Sequence, residues 1–471
     1  MEALEESAPG CRIERDLLGS LAVPADALYG IHTQRALENF PLAGRPVNRH
    51  LVHAYGGVKL ACLMANQELE GWDAERYQAL QAACRELAEG RLDRHVRVDA
   101  LQGGAGTSTN MNVNEVIANR ALQRLGRPLG DYEYLHPIED VNRHQSTNDT
   151  FPTALRVAAI GQLRVLERAV TRLIDAFQVQ ERELADVVKI GRTELQDAVP
   201  TTLGRSMGAY AEAFARDRWR IYKCEERLRI VNLGGTAIGT GIGAPRHYIF
   251  RVVDFLQQLT GLGLARAENL LDATQNADVF VEVSGMIRAL GTNLLKISND
   301  LRLLSAGPHS GFGELRLPPR QSGSSIMPGK VNPVIAEAVG QAAVAIAAHD
   351  HAISQAAGLG VLELNPFLPL IADHLLESVT LAQNACRIFA EHCITGIQAD
   401  RYRCREAVET GTAIVTALVG RLGYKVAEDV AQTAAREGKS VKQTVLDAGL
   451  LTEEQFVQLV SAEAVTRLGS S

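Results

Sequence analysis

Two long apolar stripes at helical spacing limit the fold of this 471-residue sequence more than any other feature. In the first, apolar side chains recur every three or four residues with one polar skip: Leu163, Leu166, Val170, Leu173, Phe177 and Leu184. The second keeps that spacing through Val279, Val283, Ile287, Leu290, Leu294, Ile297, Leu301 and Leu304. An apolar period near 3.5 predicts helices about 40 Å long that pack along the seam of a bundle. Because one chain has difficulty covering several such stripes, we expect an oligomer whose bundle crosses subunits.

The rest of the sequence also favours helix. Residues 52–90 are rich in Ala, Leu and Glu, and the chain from residue 396 onward has the pattern of a smaller helical appendage. Strand signal is sparse and is confined to residues 1–50 and to short connections. The hydrophobic fraction of 46% and the charged fraction of 22% are those of an ordinary globular protein. We therefore predict a mainly α fold around a central bundle of long helices.

Charge and glycine patterning exclude several classes of partner. Lys and Arg total 48 and Asp and Glu total 55, a net charge of −7, so the sequence lacks the basic excess of a nucleic-acid-binding protein. A phosphate-binding P-loop needs G-x-x-x-x-G-K-[ST], but here Val331 follows Lys330 and Ser324 stands where the first glycine belongs. No uncharged apolar run reaches the roughly 18 residues of a membrane span. We expect neither nucleic acid nor a membrane as a partner.

The cysteines predict a reducing compartment. Seven are present, an odd number, widely spaced and without a C-x-x-C pair: Cys11, Cys62, Cys84, Cys224, Cys386, Cys393 and Cys404. Such a pattern does not suit a disulfide framework. The N-terminal stretch MEALEESAPGCRIERD is acidic and lacks the basic and apolar regions of a signal peptide. We expect a cytoplasmic protein.

Histidine spacing gives no metal site. His50 and His53 share a helix face, but no third ligand with zinc-like spacing accompanies them. His349 and His351 are two residues apart, so on a helix they point to different faces. We predict chemistry that uses neither a metal nor another cofactor.

Three stretches between the helices are small, polar and poor in core residues: Gly103–Asn114, His144–Asp149 and Gly307–Pro333. The first two contain the hydroxyl-and-amide runs TSTN and STN. Taken singly, each run is explained by helix capping, because Ser, Thr, Asn and Asp are the preferred N-caps. Beside helix N-termini the same side chains also form neutral donor sites for carboxylates. The third stretch adds serines, a lysine and an asparagine, and the sum predicts a site for a small dicarboxylate.

The string GSSIMPGKVNP at Gly323–Pro333 resembles the signature of the aspartase/fumarase superfamily. The resemblance continues along nearly the whole chain, in RIERDLLGSLAVPADALYGIHTQRALENF, GGAGTSTNMNVNEVIANRA, HQSTND, GRTELQDAVPTTLG and GKSVKQTVLDAGLLTEEQ. Tyr-Gly-Ile-His-Thr at residues 29–33 is more similar to the aspartate ammonia-lyases than to the class II fumarases. The resemblance implies a three-domain fold with an N-terminal domain at 1–147, a central helical-bundle domain at 148–395 carrying a mobile loop at 307–333, and a small C-terminal helical domain at 396–471. It also implies a homotetramer in which three subunits contribute to each active site.

The resemblance implies a role for each matching residue. Ser324 is the implied general base, and Lys330 and Asn332 are implied to bind the α-carboxylate of the substrate. The residues implied to hold the β-carboxylate are Thr107, Ser146, Thr147 and Asn148. Thr193 and Glu194 are implied to face the amino group.

The implied reaction is the reversible conversion of L-aspartate to fumarate and ammonia. Removal of the weakly acidic β-proton makes an aci-carboxylate with two negative charges on its oxygens, and donors aimed at those oxygens stabilise that state more than the ground state. A serine hydroxyl is ordinarily a poor base, so loop amides near Gly323 and the charge of Lys330 are expected to stabilise its alkoxide.

Three residues depart from the family pattern. Glu194 stands where the family commonly has His or Gln, and its carboxylate attracts an ammonium but repels malate; in the alternative, it pairs with Arg192 and never meets substrate. Leu368 stands where aspartases tend to carry Glu and fumarases Lys, and Gly243 replaces an expected Asn. The alternatives left open are a fumarate hydratase, a lyase for a modified aspartate, and a non-catalytic structural protein like the lens crystallins of the superfamily.

Overall fold

α-Helix predominates in the computed structural model, which describes residues 10–467 of the chain. The prediction of a mainly α fold is therefore confirmed. The acidic residues 1–9, on which the cytoplasmic expectation partly rests, lie outside the described residues.

Seventeen α-helices lie within the described residues. In chain order they are α1 (Ile31–Asn39), α2 (Arg49–Glu70), α3 (Ala74–Ala88), α4 (Thr107–Arg124), α5 (Thr147–Glu183), α6 (Leu203–Leu228), α7 (Arg246–Thr260), α8 (Leu270–Gln275), α9 (Asp278–Leu304), α10 (Val334–Gly358), α11 (Leu368–Phe389), α12 (Arg401–Thr410), α13 (Val415–Leu422), α14 (Tyr424–Glu437), α15 (Val441–Asp447), α16 (Glu453–Leu459) and α17 (Ala462–Thr466). Helices α2 and α3 confirm the helix predicted over residues 52–90, and α12–α17 confirm the helical nature of the C-terminal stretch.

The strands are short and pair only two at a time in the described part of the chain. They are β1 (Cys11–Asp16), β2 (Gly19–Pro24), β3 (Val188–Thr193), β4 (Gln196–Thr202), β5 (Ile230–Val231), β6 (Ala265–Arg266), β7 (Leu315–Arg316) and β8 (Gln398–Ala399). The pairs β1–β2, β3–β4 and β7–β8 are antiparallel, and β5–β6 is parallel. The strands therefore form isolated two-stranded pairs and do not form a layer of the core.

The predicted stripes are the buried faces of the two longest central helices. In α5, Leu163, Leu166, Val170, Leu173 and Phe177 are all buried. In α9 the buried set is Val283, Ile287, Leu290, Leu294, Ile297 and Leu301, and the two end residues of that stripe are half-buried. The stripe prediction is confirmed, because the period of about 3.5 keeps all of these side chains on one face of each helix.

The described residues form two compact units. One takes in the chain up to Leu166 together with Arg220–Arg288 and Ala345–Leu381. The other takes in Glu167–Trp219, Ala289–Val344 and the chain from Ala382 onward. The three-part division at residues 147 and 395 stays a prediction.

Within the second unit, the C-terminal helices have an apolar core of their own. Its buried members include Val408, Ile414, Leu418, Val430 and Phe456. Ile190 of β3 belongs to the same core, so the β3–β4 hairpin is packed against these helices. The core thus fixes the base of the hairpin whose turn carries Thr193 and Glu194.

No helix within residues 10–467 has the length and apolar composition needed to cross a bilayer.

Candidate active site

The run TSTN forms the N-terminal turn of α4. Thr107 is the first residue of the helix, is exposed, and its hydroxyl donates to the carbonyl of Gly104 at 2.8 Å. The preceding residue, Gly106, has φ +95° and packs so closely on Phe151 of α5 that a Cβ there would overlap the phenyl ring. Glycine is therefore required at this N-cap, both for the left-handed backbone and for the close approach to Phe151.

The run STN opens α5. The Ser146 hydroxyl oxygen accepts from the backbone N–H of Asn148 at 3.2 Å, and the Ser146 N–H donates to the Asp149 carboxylate at 3.1 Å. Ser146 therefore acts as the N-cap of α5, and the capping explanation holds for this residue. Thr147 is buried and Asn148 is half-buried, both in the first turn. Capping and anion binding use the same helix N-terminus and do not exclude each other.

A glycine-rich loop at residues 234–243 lies against the α5 N-terminus. Pro152 has no N–H, so the carbonyl of Asn148 is free to accept from the Asn232 side chain at 2.9 Å. The Asn148 amide in turn donates to the carbonyl of Ala237 at 2.7 Å. The sequence did not predict that this loop borders the STN run.

A buried lysine lies behind both runs. Lys59 of α2 is 1% exposed, and its ammonium donates to Asn110 Oδ1 at 2.7 Å and to Gln145 Oε1 at 2.8 Å. Asn110 belongs to TSTN and Gln145 directly precedes Ser146, so Lys59 contacts both ends of the candidate carboxylate site. Burial lowers the pKa of Lys59 to about 8. Sequence reasoning missed this residue, although its position between Tyr55 and Cys62 on the apolar face of α2 was a signal.

Asp149 is the buried acid of the same region. It accepts from the backbone N–H groups of Gly234 at 3.2 Å and Thr236 at 3.0 Å, besides that of Ser146. Burial outweighs these donors and raises the pKa of Asp149 to about 7. Its carboxylate joins the α5 N-terminus to the glycine-rich loop.

Thr193 and Glu194 lie at the β3–β4 hairpin, where Thr193 pairs with Gln196. The two turn residues, Glu194 and Leu195, have φ of +52° and +63°. A tight hairpin turn needs positive φ at both central positions and ordinarily uses Asn or Gly there. A larger residue in this conformation costs about 1 kcal/mol or more. The hairpin therefore holds an exposed carboxylate and an exposed Leu195 at a strained tip.

Arg192 does not pair with Glu194. Its guanidinium lies 2.6 Å from the Glu314 carboxylate and stacks on Phe312 at 4.1 Å. Lys189, also on β3, pairs with the other oxygen of Glu314 at 2.8 Å. Within residues 10–467, Glu194 itself makes no ion pair or hydrogen bond. Glu314 thus fixes the hairpin to the segment that leads into the signature loop, and the Glu194 carboxylate is left available.

The signature loop is held by its own backbone. The N–H of Gly323 donates to the carbonyl of Lys330 at 3.0 Å, and the Asn332 side-chain amide donates to the carbonyl of Gly323 at 2.8 Å. The Ser324 hydroxyl oxygen accepts from the backbone N–H groups of Ile326 at 3.2 Å and Met327 at 2.9 Å. Donors that point at an oxygen favour its negatively charged form, so this geometry suits a serine alkoxide.

An open pocket of about 520 Å³ lies within the loop and is lined by Ser324, Gly329, Lys330 and Val331, among others. Ser324 is half-buried and Lys330 is exposed. The implied base and the implied carboxylate ligand therefore line the same pocket.

The predicted site residues fall into two groups. We call Thr107, Ser146, Thr147 and Asn148 the helix-terminus group, since all four lie in the first turns or caps of α4 and α5. We call Ser324, Lys330 and Asn332 the loop group. The helix-terminus group belongs to the first unit, and the loop group and the hairpin tip belong to the second.

Two departures from the family pattern have a structural explanation or setting. Gly243 has φ +93° and has open space around it. Asn and Gly are the residues that tolerate a positive φ best, so the backbone conformation explains why Gly can replace Asn here. Leu368 is buried at the first position of α11.

Among the described residues, His, Cys, Asp and Glu side chains do not gather in threes of the kind that hold a metal ion. His50 Nδ1 accepts from the side-chain amide of Gln162 at 3.0 Å, and His53 pairs with Asp93 at 2.9 Å. Both histidines therefore have hydrogen-bonding partners within the protein.

The chain is similar to known proteins over nearly its whole length. Residues 19–347 match the family described as Lyase, and residues 414–467 match the family described as Fumarase C C-terminus. The chain is similar to an aspartate ammonia-lyase of Pseudomonas aeruginosa, with 47% identity over 455 residues and 96% of each chain covered. A Brucella melitensis structure described as fumarate lyase:delta crystallin bound to cobalt has a TM-score of 0.92 at 45% identity, covering 96% of this chain and 98% of its own. A class II fumarase from Schistosoma mansoni has a TM-score of 0.90 at 32% identity, covering 98% of this chain and 100% of its own.

Proposed function

This chain belongs to the lyase family, and from that premise we propose that it is an ammonia-lyase that converts L-aspartate reversibly to fumarate and ammonia. The relatives that are similar over nearly their whole length carry the name aspartate ammonia-lyase. Two solved structures confirm the aspartase/fumarase-type fold. The enzyme class is accordingly that of the carbon–nitrogen lyases.

The observation that carries the chemistry is the environment of Ser324. A serine hydroxyl becomes a base only if its alkoxide is stabilised, and the N–H groups of Ile326 and Met327 point at this oxygen. Ser324 then takes the β-proton of aspartate, leaving the electron pair on the β-carboxylate as an aci-carboxylate. Loss of ammonia from the α-carbon completes the double bond of fumarate.

The helix-terminus group is the proposed site of the β-carboxylate. Hydroxyl and amide donors at two helix N-termini stabilise negative charge without a counterion, and the aci-carboxylate carries more of it than the substrate does. Lys330 and Asn332 are proposed to bind the α-carboxylate. The exposed Thr193 and the unpaired carboxylate of Glu194 are proposed to face the substrate ammonium, by a charge-assisted hydrogen bond.

The active unit is proposed to be a homotetramer in which three subunits contribute to each site. The buried stripe residues of α5 and α9 are already covered within one chain, so the tetramer is proposed from the resemblance to the family and not from an uncovered stripe. Two inactive variants, Ser324→Ala and Thr193→Val, are expected to regain partial activity when they are refolded together. Mixed tetramers that form and stay inactive would count against shared sites.

The division into domains 1–147, 148–395 and 396–471 and a cytoplasmic location belong to the same proposal. All seven cysteines are unpaired thiols, which supports a reducing compartment. The substrate is a small dicarboxylate amino acid, as the names of the relatives imply.

One assay tests the activity. The protein is incubated with L-aspartate, with L-malate, and with fumarate plus ammonia, and fumarate absorbance is followed in each case. We expect fumarate from aspartate and its consumption with ammonia. Fumarate from malate alone would favour a hydratase, and activity only with an N-substituted aspartate would favour a lyase for a modified substrate. No activity with any of them would favour a structural role.

A further inference from the structure

Lys59 is a buried cation that the steps above do not use. All three of its N–H groups have acceptors: Asn110 Oδ1 at 2.7 Å, Asn142 Oδ1 at 3.0 Å and Gln145 Oε1 at 2.8 Å. A neutral amine has only two N–H groups and would turn a lone pair toward one of these oxygens. The geometry therefore calls for the ammonium form, whose charge is held by neutral amides.

The groups around Lys59 leave that charge without an adjacent counterion. Tyr55 and Cys62 face it from α2, Cys84 from α3 and Asp149 from α5, and Tyr248 of α7 interacts with Cys62. Burial raises the pKa of both thiols to about 12 and raises the pKa of both phenols, so these four groups are neutral.

Asp149 is the remaining acid, and it does not make an ion pair with Lys59 within residues 10–467. Its oxygens are used by the backbone N–H groups of Ser146, Gly234 and Thr236. Burying a charge without a partner costs free energy. The buried ammonium of Lys59 is therefore expected to have an anion nearby that compensates this cost.

The position of Lys59 indicates which anion compensates it. Asn110 lies in the first turn of α4, and Gln145 precedes the cap of α5. The ammonium thus holds together the two helix N-termini that carry the helix-terminus group. The positive ends of two helix dipoles and one full positive charge converge on a region whose other donors are neutral.

We propose that Lys59 is a positioning residue of the carboxylate subsite: it holds the α4 and α5 N-termini together and supplies the positive charge that the second negative charge of the aci-carboxylate needs. This inference rests on the proposed function, because the subsite is the one assigned to the β-carboxylate. A purely structural lysine would affect the binding of substrate and of intermediate equally. The role proposed for Lys59 differs, because its charge stabilises the doubly negative intermediate more than the substrate.

The test compares two probes of different charge distribution. Succinate has two ordinary carboxylates. The nitronate form of 3-nitropropionate instead has a planar carbon–nitrogen double bond and a formal negative charge on each of two oxygens, as the aci-carboxylate does, although its positive nitrogen makes the net charge of the group −1. Their inhibition constants are measured for the wild type, for Lys59→Gln, and for Arg156→Gln. Arg156 is the matched control, since it is a buried cation of α5 that stacks on Phe280 and is not part of the proposed site.

Lys59→Gln is expected to weaken nitronate binding by about 100-fold or more and succinate binding by about tenfold or less, with kcat falling in parallel with the nitronate affinity. Arg156→Gln is expected to change both affinities by the same small factor. Equal losses for both probes in Lys59→Gln, no larger than in Arg156→Gln, would overturn the proposal.

A second variant keeps the test decisive if Lys59→Gln does not fold. Asn142→Asp places a carboxylate 3.0 Å from the ammonium and neutralises its charge without removing it. We expect nitronate affinity to fall by about tenfold or more, because an adjacent anion competes with the ligand. Unchanged nitronate affinity in Asn142→Asp would also overturn the proposal.

The two proposals fail separately. A wild type that releases no fumarate from aspartate, but whose nitronate binding depends on Lys59, would refute the ammonia-lyase and keep the inference. An active wild type whose nitronate binding does not depend on Lys59 would refute the inference alone.

Discussion

The helix-terminus group and the loop group are held in place by different kinds of structure. Each helix-terminus residue is fixed by the regular backbone of α4 or α5, and a buried network of Lys59, Asn110 and Asn142 lies behind them. The loop group lies on exposed, irregular backbone whose hydrogen bonds are mostly internal to residues 323–332. The proposed donors to the β-carboxylate thus lie on regular helix ends, whereas the proposed proton acceptor lies on exposed loop backbone.

This difference predicts what each group contributes when it is altered. Changes in the helix-terminus group should affect dicarboxylate affinity together with stability. In the loop group, loss of the Ser324 hydroxyl should affect turnover and leave affinity nearly intact, whereas loss of Lys330 or Asn332, the proposed ligands of the α-carboxylate, should weaken substrate binding.

The largest expected effect belongs to Ser324. Ser324→Ala should lower kcat by several orders of magnitude and change the KM for aspartate little, because the lost interaction exists only in the transition state. Steady-state kinetics and a melting curve measure both quantities. Ser322→Ala, two residues earlier in the same exposed stretch, is the control and should keep normal turnover. Near-normal turnover in Ser324→Ala would mean that this serine only stabilises the loop turn.

The second effect concerns the anchor of the loop segment. Glu314→Gln removes the negative charge that pairs with both Lys189 and Arg192, and it leaves these two mostly buried cations without this counterion. Breaking a buried pair in this way should cost about 3–5 kcal/mol in the free energy of unfolding.

Urea denaturation measures that cost. Asp186→Asn breaks the exposed ion pair of Asp186 with Arg401 in the same unit and should cost about 1 kcal/mol or less. Similar losses in the two variants would show that the Glu314 cluster does not stabilise this segment as argued.

The third effect is a pH dependence in the helix-terminus region. The pKa of Asp149 is about 7 in the folded protein, above its ordinary value of 3.8, so the folded state binds this proton more tightly. Its contribution to stability is full below about pH 4 and is lost as the pH rises to about 7. The loss is about 4 kcal/mol at most, at about 1.4 kcal/mol for each pH unit between the two pKa values.

Asp149→Asn should abolish that part of the pH dependence. The free energy of unfolding of wild type and variant is measured by urea denaturation from pH 4 to pH 8. Burial also raises the pKa of Glu115 to about 7. Glu115 contributes equally to the stability of both proteins, so its contribution cancels when the two are compared. If the difference in unfolding free energy between wild type and Asp149→Asn does not vary with pH, the pKa of Asp149 is not raised in the folded protein.

The smallest effect belongs to the hairpin tip. Glu194→Gln keeps the shape of the side chain and removes its charge, so a charge-assisted hydrogen bond to the substrate ammonium is lost. The KM for aspartate should rise by roughly tenfold to a hundredfold, which corresponds to about 1.5–3 kcal/mol. Unchanged aspartate kinetics would show that Glu194 does not meet substrate, and efficient malate dehydration by the wild type would refute the electrostatic argument.

The sequence predicts the two groups unequally well. The loop group was predicted from the resemblance of GSSIMPGKVNP to the superfamily signature, and its roles stay a prediction. The helix-terminus group was predicted as separate residues and not as a network, since Ser146 and Thr107 look like ordinary caps.

Lys59 and the glycine-rich loop at 234–243 were missed for a physical reason. Their roles depend on contacts between residues far apart in sequence, such as the one between Lys59 and Gln145, and local patterns do not carry that information. The strained turn at Glu194 and Leu195 was also unpredictable, because its residues are not those a tight hairpin prefers. The buried stripes of α5 and α9 were predicted because their periodicity is local.

The most direct test of the division between the two groups is calorimetric titration of succinate into Ser324→Ala and Ser146→Ala. We expect Ser324→Ala to bind succinate with wild-type affinity, because only the proton acceptor is missing. Ser146→Ala should bind succinate about tenfold more weakly or worse, because a donor at the α5 N-terminus is lost. Weak binding by Ser324→Ala together with normal binding by Ser146→Ala would show that the two groups do not divide the work of binding and proton transfer in this way.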